Sequence, residues 1–255
     1  MWKPDKELSH TMPPPVVVSM RELRGHCLHC AVRDLCLPVG IDQDGLRQLD
    51  AAVAERVRLE KGDTAYRAGD RFTALHAIRV GSCKTTVLGE KGHEQVAGFH
   101  ITGDIIGMDG IGSGRHGGDA VALEDTELCV LPFDRVEELA RQITPLQRNL
   151  HRIMSREIER DENVMLLLGS MRAEERLAVF LLNLSHRYRA RGYSETEFVL
   201  RLTREDIGSF LGLKLETVSR SLSRFQAAGL LQVQGRVVKL LDLTALKQLA
   251  GHRCA

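Results

Sequence analysis

Apolar and polar residues change rhythm along this chain, and each change predicts a different kind of element. From Val57 to about Leu131, short apolar runs are cut by glycines such as Gly62, Gly69, Gly81, Gly92 and Gly103. Within the runs the pattern alternates, Leu75, Ala77 and Arg79 against Ala74, His76 and Ile78. Alternation with closely spaced turns predicts a small antiparallel roll or barrel, and a parallel sheet is disfavoured because no helix-length segments separate the strands. Pro132 ends that region. From Phe133 to about Leu168 the spacing turns helical, which predicts one long helix closed by Gly169 and Ser170. A second helical block, Ala173 to Arg191, sets Leu177, Phe180, Leu181 and Leu184 on one face.

The C-terminal pattern is that of two short helices and a hairpin. Thr203 with Asp206 three residues on has the form of a helix N-cap, and Ile207, Phe210 and Leu211 supply a buried face before Gly212 breaks the helix. A new helix from about Leu215 carries Val218, Leu222 and Phe225 inward, with Gly229 where a C-cap belongs. Two short helices joined at a glycine predict a helix-turn-helix. Leu230 to Val233, a Gln234-Gly235 turn and Val237 to Leu241 predict a hairpin, the wing. The second helix presents Glu216, Ser219, Arg220, Ser223 and Arg224 opposite its apolar stripe. Arginine can bind guanine bidentately in the major groove, glutamate can accept from cytosine, and serine can reach base or phosphate. The plainer alternative is a solvated helix face with an internal Glu216 to Arg220 pair.

The long helix carries a second period. Positions 147, 151, 154, 158, 161, 165 and 168 alternate spacings of four and three, the repeat of a two-stranded coiled coil. They hold Gln147, His151, Met154, Ile158, Asp161, Met165 and Leu168, so Met154, Ile158, Asp161 and Met165 are expected at a dimer interface. Asp161 is the residue that does not suit one.

Charge sharpens this picture once it is divided. Residues 171–255 hold 14 Lys+Arg against 8 Asp+Glu, net +6, and residues 1–170 hold 21 against 26, net −5. The basic third coincides with the helix-turn-helix, where a polyanion is expected. Aromatic residues make up only 4% of the chain, so the cores must be aliphatic. Residues 1–20, with Pro13-Pro14-Pro15, read as a flexible tail and not a signal peptide. No apolar run approaches the length of a membrane span, and a cytoplasmic protein with no membrane partner is expected.

In a reducing compartment six cysteines point to metal or free thiols before disulfides. Cys27, Cys30 and Cys36 lie within ten residues and Cys129 lies far along the chain. Three close and one distant make a four-thiolate site if the fold joins them, and the spacing does not choose between zinc and an iron-sulfur cluster. Cys83 and Cys254 read as free, His26 and His29 as bystanders. The glycine-rich stretch Ile111 to Gly118 lacks the Gly-Lys-Ser/Thr ending of a phosphate loop and reads as a surface loop.

Together these motifs resemble the CRP/FNR family of transcription regulators, on its oxygen-responsive branch, from about Gly25 onward. The residues that carry the likeness are Cys27-x2-Cys30-x5-Cys36-Leu37-Pro38, Cys129-x-x-Pro132-Phe133, Ala173-Glu174-Glu175-Arg176-Leu177, Glu216-Thr217-Val218-Ser219-Arg220 and Gln248-Leu249-Ala250-Gly251-His252. The resemblance implies an α+β architecture: a cysteine-rich cluster-binding segment over 21–40, a double-stranded beta roll of the cyclic-nucleotide-binding type over 41–132, a dimerisation helix over 133–170 and a winged helix-turn-helix over 171–255. It implies that Cys27, Cys30, Cys36 and Cys129 bind an oxygen-labile 4Fe-4S cluster. It also implies that Glu216, Ser219 and Arg220 read TTGAT-type inverted repeats, and that double-stranded DNA, RNA polymerase and a second copy of the chain are the partners. Relatives that bind cyclic AMP use a glutamate and an Arg-Ser pair where this chain has Met108, Gly118 and Asp119, so a cyclic nucleotide is not expected. A nitric-oxide or redox sensor of the same family is the nearest alternative; an iron-sulfur enzyme or electron carrier is disfavoured for want of any nucleophile-base pattern.

Overall fold

The computed structural model describes residues 27–89 and 92–251; the predicted tail, His26 and Cys254 lie outside them. After a 3₁₀ turn at Cys27–His29 comes α1 (Gln43–Ala52), a helix inside the 41–132 segment that the sequence assigns to the roll. Asp42 caps this helix by accepting the Gly45 N–H at 2.8 Å, and Leu46 and Leu49 face inward.

The roll follows as β1 (Glu55–Leu59), β2 (Thr64–Tyr66), β3 (Ala74–Val80), β4 (Ser82–Leu88), β5 (Glu94–Ile101), β6 (Ile105–Ile106), β7 (Asp119–Ala122) and β8 (Thr126–Pro132). These make two antiparallel sheets, ordered β1-β8-β3-β6 and β2-β7-β4-β5. Tyr66, Ile78, Cys83, Ile106, Ala120 and Leu128 fill the space between them. Strand β3 is buried on both faces. Ile78 points into the roll, whereas Leu75 and Ala77 join an outer core with Leu37, Leu46, Leu49, Val136 and Leu146. The cysteine segment and the helices beside it lie on that outer face.

The single long helix expected after Pro132 is two, α2 (Phe133–Gln142) and α3 (Thr144–Ser170), broken at an extended Ile143. Pro145 explains the break. Inside a continuous helix it would lose the bond to Arg141 and clash with that carbonyl, but in the first turn of a new helix it costs nothing. At 27 residues α3 is about 40 Å long. It ends at Ser170, as its closing residues suggest.

The C-terminal module comprises α4 (Ala173–Arg189), β9 (Glu197–Val199), α5 (Arg204–Leu211), α6 (Leu215–Ala227), β10 (Leu231–Gln234), β11 (Val237–Leu240) and α7 (Leu243–Leu249). The predicted hairpin is β10-β11, and β9 adds to β11 as a third strand that the sequence reading did not find. Leu177, Phe180, Leu181, Leu184, Ile207, Leu211, Val218, Leu222 and Phe225 are all buried in one core. Phe99, Ile101 and Leu123 of the roll belong to the same core, so the module is packed directly on the roll. Among the described residues no helix is long and apolar enough to cross a membrane.

Candidate metal centre and nucleic-acid interface

Cys27, Cys30 and Cys36 sit in a run of tight turns, bonded Cys30 N to Cys27 O (3.3 Å), Arg33 N to Cys30 O (3.2 Å) and Cys36 N to Val32 O (3.2 Å). This coil lies against β3 and β8. Cys129 alternates with the inward-facing Leu128, so its side chain leaves the roll on the same side as Leu131. All four cysteines then line one gap, floored by Leu37, Leu49, Ala77 and Leu131. Its free volume is about 40 Å³, room for a few waters. Among the described residues no three His, Cys, Asp or Glu side chains are gathered tightly enough to hold a single metal ion. Burial, with Asp50 and the neighbouring sulfurs adding to it, pushes the Cys27 thiol up to about 12; burial does the same at Cys36. Cys129 is also raised by burial, but Arg56 and Arg79 oppose the rise.

Two polar contacts around this gap were not expected from the sequence. Asp50 of α1 accepts the Cys27 N–H at 2.9 Å and the Arg56 guanidinium at 3.4 Å, and Arg56 stands directly opposite Cys129 in the β1-β8 register. One carboxylate thus ties the near cysteines to the strand that carries the distant one. Asn149 of α3, itself buried, donates to the carbonyls of Leu37 (2.9 Å) and Val39, fastening the end of the cysteine segment to the long helix. Neither could have been read from spacing, because Asn149 is more than a hundred residues away. Cys83 is fully buried in the roll interior and burial pushes its thiol up to about 12, the behaviour of an inert core residue. His29 is exposed.

On α6, Glu216, Arg220, Ser223 and Arg224 are exposed and Ser219 is half-buried, opposite the buried Val218, Leu222 and Phe225. The internal Glu216 to Arg220 pair does not form; among the described residues neither side chain has a hydrogen bond or ion pair. Ser219 accepts from Arg204 of α5 at 3.2 Å, and Arg224 is turned aside to Glu174 of α4 at 2.6 Å. Gly212 sits between α5 and α6 with φ +63, a left-handed conformation that glycine adopts without strain. Arg176 fixes this turn to the long helix. It donates to Leu168 O (2.8 Å) and Met171 O (2.9 Å) at the end of α3, and to Leu211 O (3.0 Å) at the end of α5. Those are carbonyls a helix end leaves open.

Along α3, Ile158 and Met165 are 59% and 65% exposed, and Asp161 is exposed beside them. Leu166, one position off the predicted seam, is 57% exposed, which widens the apolar stripe. The half-buried Met154 packs on the outer core of its own roll, and Leu168 packs on the C-terminal module. A cavity of about 590 Å³ separates α3 from the roll. Met108 and Gly118 line it, with carboxylates from Asp109, Glu157 and Asp161 and, among the described residues, no Lys or Arg. Asp119 instead accepts the Ala68 N–H at 2.7 Å.

Comparison with known proteins matches residues 175–249 to a family described as a Crp-like helix-turn-helix domain, and residues 56–143 to the cyclic nucleotide-binding domain. The chain is 48% identical over 227 residues to the transcriptional regulatory protein btr of Bordetella pertussis, covering 89% of this chain and 94% of that one. It is 44% identical to the fumarate and nitrate reduction regulatory protein of Escherichia coli K12, covering 89% and 91%. This chain belongs to the CRP/FNR family. Like its relatives it is a DNA-binding transcription regulator and not an enzyme. Among solved structures, FixK2 from Bradyrhizobium japonicum superposes with a TM-score of 0.70 at 31% identity, covering 77% of this chain and 97% of that one. The roll, long helix and helix-turn-helix are the architecture the resemblance implied.

Proposed function

We propose that this CRP/FNR regulator senses oxygen through a 4Fe-4S cluster held by Cys27, Cys30, Cys36 and Cys129, and that it binds TTGAT-type inverted repeats as a homodimer while the cluster is intact. The observation that carries the reading is the single gap lined by all four thiols, three from one coil and one from β8. The donor set fits the group: four sulfurs, an apolar floor, and arginines at 56 and 79 on the side of Cys129 to balance thiolate charge. When bound, the cluster supplies an oxygen-sensitive centre. The protein's part is to hold the ligands. Asp50 and Arg56 keep the coil on β8. Thiol protons leave as the sulfurs ligate, so loading is favoured as pH rises.

In this reading the exposed stripe Ile158, Asp161 and Met165, continued by Met154, is the dimer seam, and Glu216, Ser219 and Arg220 read base edges in two half-sites about one helical turn apart. RNA polymerase is the further partner, controlling the anaerobic gene programme in the cytoplasm. A cyclic nucleotide is disfavoured electrostatically. The cavity between roll and helix offers carboxylates to a phosphate and, among the described residues that line it, no Lys or Arg. Anaerobic purification with iron and sulfide assays, followed by operator binding before and after exposure to air or nitric oxide, tests cofactor and signal together. Protein that is iron-free, or that binds equally well before and after air, would refute oxygen sensing; a response to nitric oxide alone would make it a nitric-oxide sensor.

A further inference from the structure

The turn Gly103-Asp104, between β5 and β6, touches two parts of the molecule that a sensor must connect. On one side it meets the cysteine coil. Gly103 has φ +92, and a methyl placed on it would lie 3.1 Å from Leu35 Cβ and 3.8 Å from Val32 Cβ. Leu35 directly precedes Cys36, and Val32 carries the carbonyl that accepts the Cys36 N–H. The coil therefore rests on a backbone that has no side chain to keep it at a distance. On the other side the turn grips the DNA-binding module. The Asp104 carboxylate pairs with Arg191 of the α4 end at 2.6 Å and with Arg187 of α4 itself. The same two arginines donate to roll carbonyls, Arg187 to Phe99 O at 2.9 Å and Arg191 to Thr102 O at 2.5 Å.

These charges are largely out of water. Asp104, Arg187 and Arg191 are 12%, 13% and 8% exposed at their side chains. Burial alone would raise the Asp104 carboxyl, but Arg187, Arg191 and Arg160 together hold it well below the usual carboxylate range, so the link is charged at any physiological pH. A second contact lies at the far edge of the same interface, where Lys84 of β4 pairs with Asp206 of α5 at 2.8 Å and Val96 N donates to Ser209 Oγ at 2.8 Å. None of these contacts touches the exposed face of α6. The module is thus held with Glu216 and Arg220 free, which is an orientation fit for reading DNA and not a masked one.

We propose that the Gly103-Asp104 turn relays the packing of the cysteine coil to the orientation of the DNA-binding module, with Asp104 acting as a positioning residue through Arg187 and Arg191. This rests on the reading of the coil as the sensor, although the grip on α4 does not. A dimer whose two modules are each fixed on their rolls meets both half-sites without paying to immobilise either. When the coil shifts, Leu35 and Val32 move off the turn, and the module loses its fixed seat.

The test uses the full chain, purified without air. Asp104→Asn keeps the shape of the carboxylate and removes its charge; Lys84→Gln weakens the far edge by removing the cation from Asp206, whose carboxylate keeps the Thr203 N–H and hydroxyl as donors. Both should bind a complete inverted repeat more weakly, Asp104→Asn by about tenfold, with little change on a single half-site. Iron content and sedimentation should match the parent. A variant that merely folds poorly would lose both sites equally, and one that binds the repeat more tightly would mark the contact as inhibitory; either outcome overturns the proposal. The sensor side is read by amide hydrogen exchange over 185–192 and 204–211. Air should speed exchange there in the parent, and Leu35→Ala should blunt that change. No change in the iron-loaded parent would overturn the relay. An iron-free parent would instead refute the proposed cofactor, leaving the Asp104→Asn comparison of repeat and half-site to decide the grip alone.

Discussion

The cysteine site and the recognition helix are built in opposite ways. The signals that set the form of the helix-turn-helix lie between Thr203 and Phe225 and are local: the Thr203 cap, the left-handed Gly212 and the buried stripe of α6, with Arg176 of α4 fastening the turn from outside. The cysteine gap joins a coil at 27–38, a strand at 129, α1 through Asp50 and α3 through Asn149. A site made from one stretch of chain persists when the rest of the molecule shifts. One made from four elements responds to any of them, which suits a sensor. The two also differ in what surrounds their charge: among the described residues Arg220 and Glu216 stand in water without partners, whereas the four cysteines are half-buried and burial raises the thiols of Cys27, Cys36 and Cys129.

The sharpest way to break this contrast is to remove the distant ligand. Cys129→Ser takes one thiolate of four and should abolish stable cluster and anaerobic operator binding, as should serine at Cys27, Cys30 or Cys36. Iron and sulfide assays with the visible absorbance measure it. A Cys129→Ser protein with a full 4Fe-4S complement would separate β8 from the site altogether. The control is Cys83→Ala and not Cys83→Ser, because Cys83 is fully buried and a serine hydroxyl there would lose water without gaining a partner.

Next in size is the link between the two regions along α3. Ile158 and Met165 expose apolar surface that a second copy would cover, while Asp161 between them would face its symmetry mate in a parallel dimer and oppose association. Asn149 bonds the end of the cysteine coil to the same helix, and on the function proposed above cluster binding would act through this bond to repack roll against helix and offset the repulsion. Asp161→Ala should therefore dimerise and bind the operator in air without a cluster. If it sediments as a monomer under air, as the parent is expected to, the seam is wrong.

Within the recognition helix the expected effects are smaller and differ in kind. Arg220→Ala should lose about 1 to 3 kcal/mol of discrimination at one guanine in each half-site, whereas Lys214→Ala should weaken all sequences alike. Titrations against the operator and random DNA at matched salt distinguish the two. Equal losses on both DNAs for Arg220→Ala would move the base-reading face elsewhere on α6.

How much was legible follows the same division. The α6 stripe, the Thr203 cap and the wing hairpin could be read because a helix period, a capping pair and a Gln-Gly turn are local signals. Strand β9 was missed, since three residues of Glu-Phe-Val carry no period of their own and are strands only by pairing with β11. The break at Ile143 was in plain view as Pro145, but the apolar spacing on either side runs through it. Helix α1 has a glycine inside it and only ten residues, so its pattern was submerged in the roll. Cys129 could be singled out as a cysteine and as part of a family motif; that Arg56 stands opposite it, and that Asp50 holds Cys27, depend on strand register and tertiary packing. Residues that act by pairing across the fold leave no mark in spacing.

The smallest expected effect makes the same local change in both regions. Thr203→Ala removes the hydroxyl that accepts the Asp206 N–H at 3.0 Å, and Asp42→Ala removes the carboxylate that accepts the Gly45 N–H at 2.8 Å. Each takes away one helix cap and should cost about 1 kcal/mol of stability, measured by thermal unfolding of the full chain. The consequences beyond stability should diverge. At Thr203 the lost bond belongs to α5, whose core contacts through Ile207 and Leu211 remain, so iron content and the lifetime of the cluster in air should be those of the parent. At Asp42 the loosened helix is α1, and α1 carries Asp50, the acceptor of the Cys27 N–H and of Arg56. Fraying its first turn should reach the cysteine coil, shortening the cluster's lifetime in air by more than the stability loss alone predicts, while operator affinity of the intact, loaded protein is unchanged. Identical cluster lifetimes in the two variants would mean that α1 is only a floor for the coil, and that the site depends on fewer elements than its geometry suggests.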